Sequence, residues 1–293
     1  MPVTALALVL IAALLHATWN FVAKKSGGGA HFVLMGALMI VVVWSPLGLW
    51  LAWRDLGGFG WRQWAAVLAS GLAHLVYFSA LLAGYRAADL TVVYPVARGT
   101  GPLLSSAAAV IVLGEALTAT GVAGVLAITA GIVLIAGGPA LWQRAHGGID
   151  RARVRAGLAW GALTGALIAL YTVIDGYAVK VLLISPILVD YMGNALRIPF
   201  MLPQALRDRA GFVREARVQW KAALVLALIS PLGYVLVLYA VQIAPLSHVA
   251  PAREVSMLFA ALIGGRLLGE ADRGARLLGA ACMAGGVVAL AFG

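Results

Sequence analysis

The 293 residues are 63% hydrophobic and only 11% charged, with a mean hydropathy of +0.98. A soluble domain has about 45–50% apolar and about 25% charged residues, so a soluble globule, a disordered chain and a collagen-like repeat are all excluded. The net charge of +10 fits basic loops between apolar spans better than a nucleic-acid surface, and no nucleic-acid partner is expected.

Ten stretches reach the roughly 20 mostly apolar residues that a bilayer crossing needs. Val3–Ala23 is the first. It lacks a basic leading region and is followed by Lys24 and Lys25, which reads as a stop-transfer flank instead of a signal peptide. It places His16, Trp19 and Asn20 on one helical face. Phe32–Trp53 follows, then Gln63–Tyr85 with His74 and Tyr77. Leu90–Leu113 carries Tyr94, Pro95 and Arg98, and Leu117–Gly138 closes the first half. Ala156–Ala178 holds Tyr171, Asp175 and a glycine ridge of Gly157, Gly161 and Gly165. Ser185–Leu206 sets Asp190, Asn194 and Arg197 on one face. Lys221–Gln242 contains Pro231 and Tyr234, Ser247–Leu268 contains Pro251, Arg253 and Glu254, and Gly274–Phe292 ends the chain.

Charge in the loops gives an orientation. Fifteen of the 21 basic residues fall in loops after odd-numbered spans and three in loops after even-numbered ones. The positive-inside rule then puts both termini outside and the basic loops in the cytoplasm, in a bacterial inner membrane. The longest connections, 139–155 and 207–220, are too short to fold alone.

Laid against itself at an offset of 155, the chain matches Arg98 to Arg253, Leu113-Gly114-Glu115 to Leu268-Gly269-Glu270, Asn20 to Asp175, Lys25 to Lys180, Gly124 to Gly279 and Gly131 to Gly286. The halves are 1–140 and 156–293, joined by a basic linker at 141–155. Five spans per half force the second copy upside down, an inverted-topology repeat. The expected fold is all-α, polytopic, with ten transmembrane helices in a 5+5 arrangement.

Three arginines lie inside spans, where a charge costs at least about 2.5–3.5 kcal/mol and therefore faces protein or water. Arg98 and Arg253 each follow a proline, Pro95 and Pro251, that loosens the helix and supplies a candidate hinge. Together they could clamp an anionic substrate, or else pair structurally with carboxylates. Asp190, Asn194 and Arg197 read as an internal salt bridge or a gate. Glu254 could bind Arg197, bind substrate, or carry a coupling proton, and Asp175 shares the coupling or gating role. His16, Trp19, Asn20, His74, Tyr77, Tyr94, Tyr171 and Tyr234 are candidate cavity-lining residues. His74 is also a possible proton relay, and Tyr94 a possible interfacial belt residue. Glu115 and Glu270 read as capping residues and the glycine ridges as close packing or a dimer seam.

The segments TVVYPVARGTGPLLSSAAAVIVLGEALTATGVAGVLAITAGIVLIAG and SHVAPAREVSMLFAALIGGRLLGEADRGARLLGAACMAGGVVALAFG each resemble the last two helices of an EamA repeat, from the ten-helix branch of the drug/metabolite transporter superfamily. The stretch LLHATWNFVAKKSG is similar to a subgroup associated with phosphonate-utilisation clusters. The resemblance implies a central cavity lined mainly by helices 1, 3, 4, 6, 8 and 9 and transport of small metabolites.

No nucleotide-binding glycine loop, GxSxG, HExxH or potassium-filter motif occurs. Neither a cofactor nor a metal is expected. The expectation is a secondary transporter, not an enzyme. It moves a small polar, anion-bearing metabolite (amino acid, organic acid or phosphonate-like) by alternating access, as a monomer or homodimer within the lipid bilayer. The alternative is an integral-membrane enzyme that modifies lipid headgroups.

Overall fold

The computed structural model describes residues 1–25, 30–136, 151–263 and 273–293. The second LGE turn, at 268–270, and linker residues 141–150 lie outside the described residues. Regular structure among the described residues is all helical. The helices are α1 Val3–Lys25, α2 Ala30–Asp55, α3 Trp61–Ala87, α4 Leu90–Leu113, α5 Ala119–Ile135, α6 Arg151–Lys180, α7 Pro186–Arg207 and α8 Arg209–Ile243, then α9 and α10. α9 is broken into Leu246–Ala252, a 3-10 turn at Arg253–Val255, and Ser256–Ile263, and α10 spans Arg273–Phe292.

Local chemistry explains the boundaries. α4 stops at Gly114, whose φ of 66° is the left-handed conformation that closes a helix and that glycine adopts without steric cost. α5 starts where the Thr118 hydroxyl accepts from the Gly121 N–H at 3.0 Å. Pro186 opens α7, where its missing N–H is not needed. Seven helices are long and apolar enough to cross a membrane, and α5 is a shorter apolar helix. α7 carries Asp190 and Arg197 and, within it, Pro199 and Pro203, and α9 is interrupted by its 3-10 turn.

One loop expectation fails. The segment 209–220 is helical and extends α8 to 35 residues, about 52 Å at 1.5 Å per residue, well beyond a roughly 30 Å hydrocarbon core. Asp208 caps it by accepting from the Gly211 N–H at 2.9 Å. Phe212 and Ala216 pack against the cluster of Phe32, Met35 and Ala223. His31 of α2 approaches Glu215 at 3.3 Å and Asp208 at 3.8 Å. Apolar residues hidden among the arginines, with a partner helix alongside, make this loop a helix.

The main packing pairs obey a two-fold rule. α1 packs on α8 and α6 on α3; α4 packs on α6 and α9 on α1; α2 packs on α8 and α7 on α3; α5 meets α10 and α2 meets α7. Each pair maps onto another, or onto itself, when the halves are exchanged. All of these pairs join opposite halves, so the repeats interlock. Both termini share one face: the Met1 ammonium donates to the Ala291 carbonyl at 2.6 Å, and Thr118 donates to the Gly293 carbonyl at 3.2 Å. This face also carries exposed Trp53, Trp61 and Trp64, the amphipathic side chains that favour a membrane–water boundary.

The glycines are spent on contacts within the chain. A Cβ on Gly131 would lie 2.6 Å from the Gly279 carbonyl, and one on Gly124 would lie 2.9 Å from the Gly286 carbonyl, so α5 and α10 touch backbone to backbone. Along α6, a Cβ on Gly161 would lie 2.9 Å from the Val93 carbonyl of α4.

Candidate functional site

The break in α9 falls at the centre of the molecule. Pro251 removes a backbone donor just before it, and at the 3-10 turn the Nε of Arg253 lies 3.6 Å from an oxygen of its sequence neighbour Glu254. α4, in contrast, runs unbroken through Pro95 and Pro102. Of the two expected hinge prolines, only Pro251 adjoins a break, although each is the sixth residue of its helix, so proline alone does not make the break.

Arg98 reaches across from α4. Its Nε lies 2.8 Å from a Glu254 oxygen, and an Nη donates to the Ser256 hydroxyl at 3.2 Å. Its guanidinium carbon sits 5.9 Å from the Tyr94 ring centre, so Tyr94 faces this arginine instead of serving only as a belt residue. Arg98 is 8% exposed, Arg253 7% and Glu254 0%. The carboxylate therefore stands between two buried guanidiniums, and the expected pairing of Glu254 with Arg197 does not form. The two arginines are not a vacant pair; they share one counter-charge.

A second group lies beside it. Tyr234 of α8 donates its hydroxyl to Asp175 of α6. His74 of α3 places Nε2 3.8 Å from the same Asp175 oxygen and stacks on Tyr171 at 4.0 Å between ring centres. Tyr77 meets Tyr171 at 5.3 Å. His74 Nδ1 is 2.9 Å from the Ser70 carbonyl. Asp175 lies near the end of α6 and is nonetheless fully buried, because His74 of α3 and Tyr234 of α8 close over that turn.

On α7, the expected salt bridge is a relay. Asn194 donates to Asp190 at 3.1 Å, and Arg197 donates to the Asn194 carbonyl oxygen at 2.9 Å. At i and i+7 the two charges are two turns apart, so the amide between them carries the link. On α1, His16 meets Trp19 edge to face at 5.0 Å and lies within electrostatic reach of Arg98 and Arg253. Asn20 donates back to the His16 carbonyl at 2.7 Å, which occupies its amide within its own helix. Arg253 in turn is within reach of Tyr171 and Tyr234. Groups from α1, α3, α4, α6, α8 and α9 thus lie within electrostatic reach of one another. Among the described residues no set of three His, Cys, Asp or Glu side chains converges as a metal site.

Glu115 corrects a smaller expectation. It does not cap the helix that follows it; Thr118 does that. Its oxygens accept from the N–H groups of Leu246 at 2.7 Å and Ser247 at 2.9 Å, the first turn of α9 in the other half. Lys180 donates to it at 2.9 Å and to the Ala244 carbonyl at 3.2 Å. Burial alone would raise its pKa, but the Ser247 N–H, the Lys180 ammonium and the Leu246 N–H outweigh burial and hold it below the usual carboxylate value. Ser70, Ser256 and this cross-repeat contact were not singled out from sequence. The contact had a signal there: Glu115 and Lys180 are both members of matched pairs at the 155 offset.

The model of the EamA-like transporter family matches residues 3–137 and 155–292. The chain belongs to the EamA-like transporter family. It is accordingly a multi-pass membrane protein of the drug/metabolite transporter superfamily, with two repeats in a 5+5 arrangement. A solved crystal structure shares the fold, with a TM-score of 0.67, 17% identity, and coverage of 99% of this chain and 96% of its own. Comparison with curated proteins finds no match. The phosphonate-associated subgroup finds no support in these comparisons.

Proposed function

We propose that this EamA protein is a secondary transporter that moves a small polar, anion-bearing metabolite by alternating access. One observation carries the reading. Two buried guanidiniums, Arg98 and Arg253, share the single carboxylate of Glu254, so this triad is one carboxylate short, while the remaining interior charges, Arg197, Asp175 and Asp190, lie beyond ion-pair distance of it. A buried surplus charge is costly without a partner, and an anionic substrate group is the partner it lacks. Arg98 is held by both Glu254 and Ser256, so Arg253, the less tightly paired of the two, is the primary anion contact. His16 and Trp19 on one side and Tyr77 and Tyr171 on the other supply walls, and the Asp190–Asn194–Arg197 relay forms part of a gate.

Interlocked inverted repeats suit a rocking motion, and the broken α9 gives that motion a hinge at Pro251. The repeats end near 140 and begin again near 156, in a bacterial inner membrane with both termini outside. The test is counterflow in proteoliposomes with labelled L-alanine, L-malate and methylphosphonate. Saturable counterflow of at least one of the three is expected, with loss in Arg253→Gln protein that still folds. Transport of none, or full transport in Arg253→Gln, refutes the anion site.

A further inference from the structure

We propose that Asp175, with His74 and Tyr234, forms a proton-binding site that couples transport to a proton gradient. The inference deepens the transport reading and rests on it for the coupling, but not for the site itself.

The three interior carboxylates differ in what holds them. Glu254 lies between two guanidiniums at 2.8 and 3.6 Å. Asp190 accepts from Asn194. Asp175 is fully buried and meets no arginine or lysine within ion-pair distance among the described residues; its only ion-pair neighbour is His74. One of its oxygens takes the Tyr234 hydroxyl, and the other, Oδ1, is buried with no hydrogen-bond partner. A buried carboxylate with an unpartnered oxygen is costly, and a proton on the carboxyl group, delivered at the Oδ2 that His74 faces, removes the charge that makes it so.

The histidine supplies the route. The Ser70 carbonyl can only accept, so His74 Nδ1 must carry the hydrogen that joins them at 2.9 Å. In the neutral ring, Nε2 is then a bare acceptor, and it faces a carboxylate oxygen at 3.8 Å. Two acceptors that face each other lack one proton. His74 is 14% exposed at its side chain and Asp175 is not exposed, so a proton donor from outside the group meets the imidazole before the carboxylate. The step balances simply: Nε2 takes a proton from water on the open side and passes it to the Asp175 carboxylate, which leaves a neutral imidazole and a carboxylic acid. The other groups around Asp175 are Tyr171 on its own helix, Tyr77 from α3, Arg197 and Asp190 from α7, and Arg253 from α9. The arginines sit beyond ion-pair distance and oppose protonation without blocking it.

Infrared spectroscopy of the full chain in lipid nanodiscs reads the site without any substrate. Wild type is expected to show a protonated-carboxylic-acid C=O stretch that disappears as pH rises. The band should be lost in Asp175→Asn, kept in Asp190→Asn, and moved to higher frequency in Tyr234→Phe, which removes the hydrogen bond. A wild type without such a band at any pH, or an unchanged band in Asp175→Asn, overturns the site. The coupling is read in proteoliposomes as the ratio of uptake of the carried probe with and without an imposed pH gradient. The ratio should exceed one in wild type; a wild-type ratio of one overturns the coupling. If none of the three probes is carried, the transport reading fails while the infrared band still decides the proton site.

Discussion

The Arg98–Glu254–Arg253 triad predicts an asymmetry of signs. Removing Glu254 leaves two guanidiniums, each less than a tenth exposed, with no counter-charge between them. Breaking a buried ion pair by deleting one partner costs about 3–5 kcal/mol, and here both pairs lose the same partner, so Glu254→Gln belongs at the upper end, about 5 kcal/mol. Removing Arg98 is different. Arg253 remains 3.6 Å from Glu254, and the pair is then electrically neutral. Arg98→Gln gives up the 2.8 Å contact and the Ser256 hydrogen bond but leaves no orphaned charge, so its cost should stay below about 2 kcal/mol. The double variant Glu254→Gln with Arg98→Met deletes one charge of each sign and should recover about 2 kcal/mol over Glu254→Gln alone. Unfolding by graded denaturing detergent, followed by tryptophan fluorescence, measures all three. If Arg98→Gln costs as much as Glu254→Gln, the charge argument behind the anion site is wrong.

Three further outcomes are expected. Gly131→Ala drives a methyl to within 2.6 Å of the Gly279 carbonyl and should cost about 1–3 kcal/mol, whereas Gly285→Ala on the same α10 meets nothing within 4 Å and should be neutral or gain about 0.5–1 kcal/mol; equal effects in the same unfolding assay would remove the close α5–α10 crossing. Glu115 has its pKa held below the ordinary value in the folded protein, so its contribution of about 1–2 kcal/mol is fully present above the unfolded carboxyl's value near about 4.3 and lost as pH falls through the lower folded value. The melting difference between wild type and Glu115→Ala should therefore be constant at neutral pH and vanish in acid; a difference that persists in acid contradicts the cap. Reporter fusions at Met1 and Gly293 should report the same side of the membrane, the periplasmic one by loop charge; opposite sides would break the ten-helix count.

Much of the scaffold is legible in the sequence because the membrane imposes it. A bilayer demands long apolar runs, and ten of them appear; five-span halves then fix the inversion. Gly124, Gly131, Gly279 and Gly286 announce a close crossing that the structure realises with carbonyls in van der Waals range. The charged site was legible as a set of residues but not as a set of pairs. Arg253 and Glu254 look divergent on an α-helix, where neighbours turn about 100°, and the 3-10 turn at Arg253–Val255 does not narrow that angle; the contact at 3.6 Å comes from the reach of two long side chains bent toward each other, which a helical wheel does not show. The helical start of α8 was missed for the opposite reason. Its arginines dominate the composition of 207–220, while Phe212 and Ala216, the residues that pack, are too few to register as a span.

The two-fold symmetry of the frame and the lack of it in the site are connected. His16 and Asn20 of α1 match Tyr171 and Asp175 of α6 by sequence offset. Asn20 closes its amide on its own helix, whereas Asp175 spends its carboxylate on Tyr234 and His74 from two other helices. The Asn20 amide is satisfied within its own helix and stays neutral throughout a cycle; the Asp175 carboxylate depends on Tyr234 and His74 from other helices, so a motion that separates those helices changes its partners. A rocking motion between symmetric halves would have two equivalent end states if the interior were symmetric too. With a carboxylate at one of the matched positions and an amide at the other, the two end states are not equivalent, which is the condition under which a gradient can favour one direction of movement.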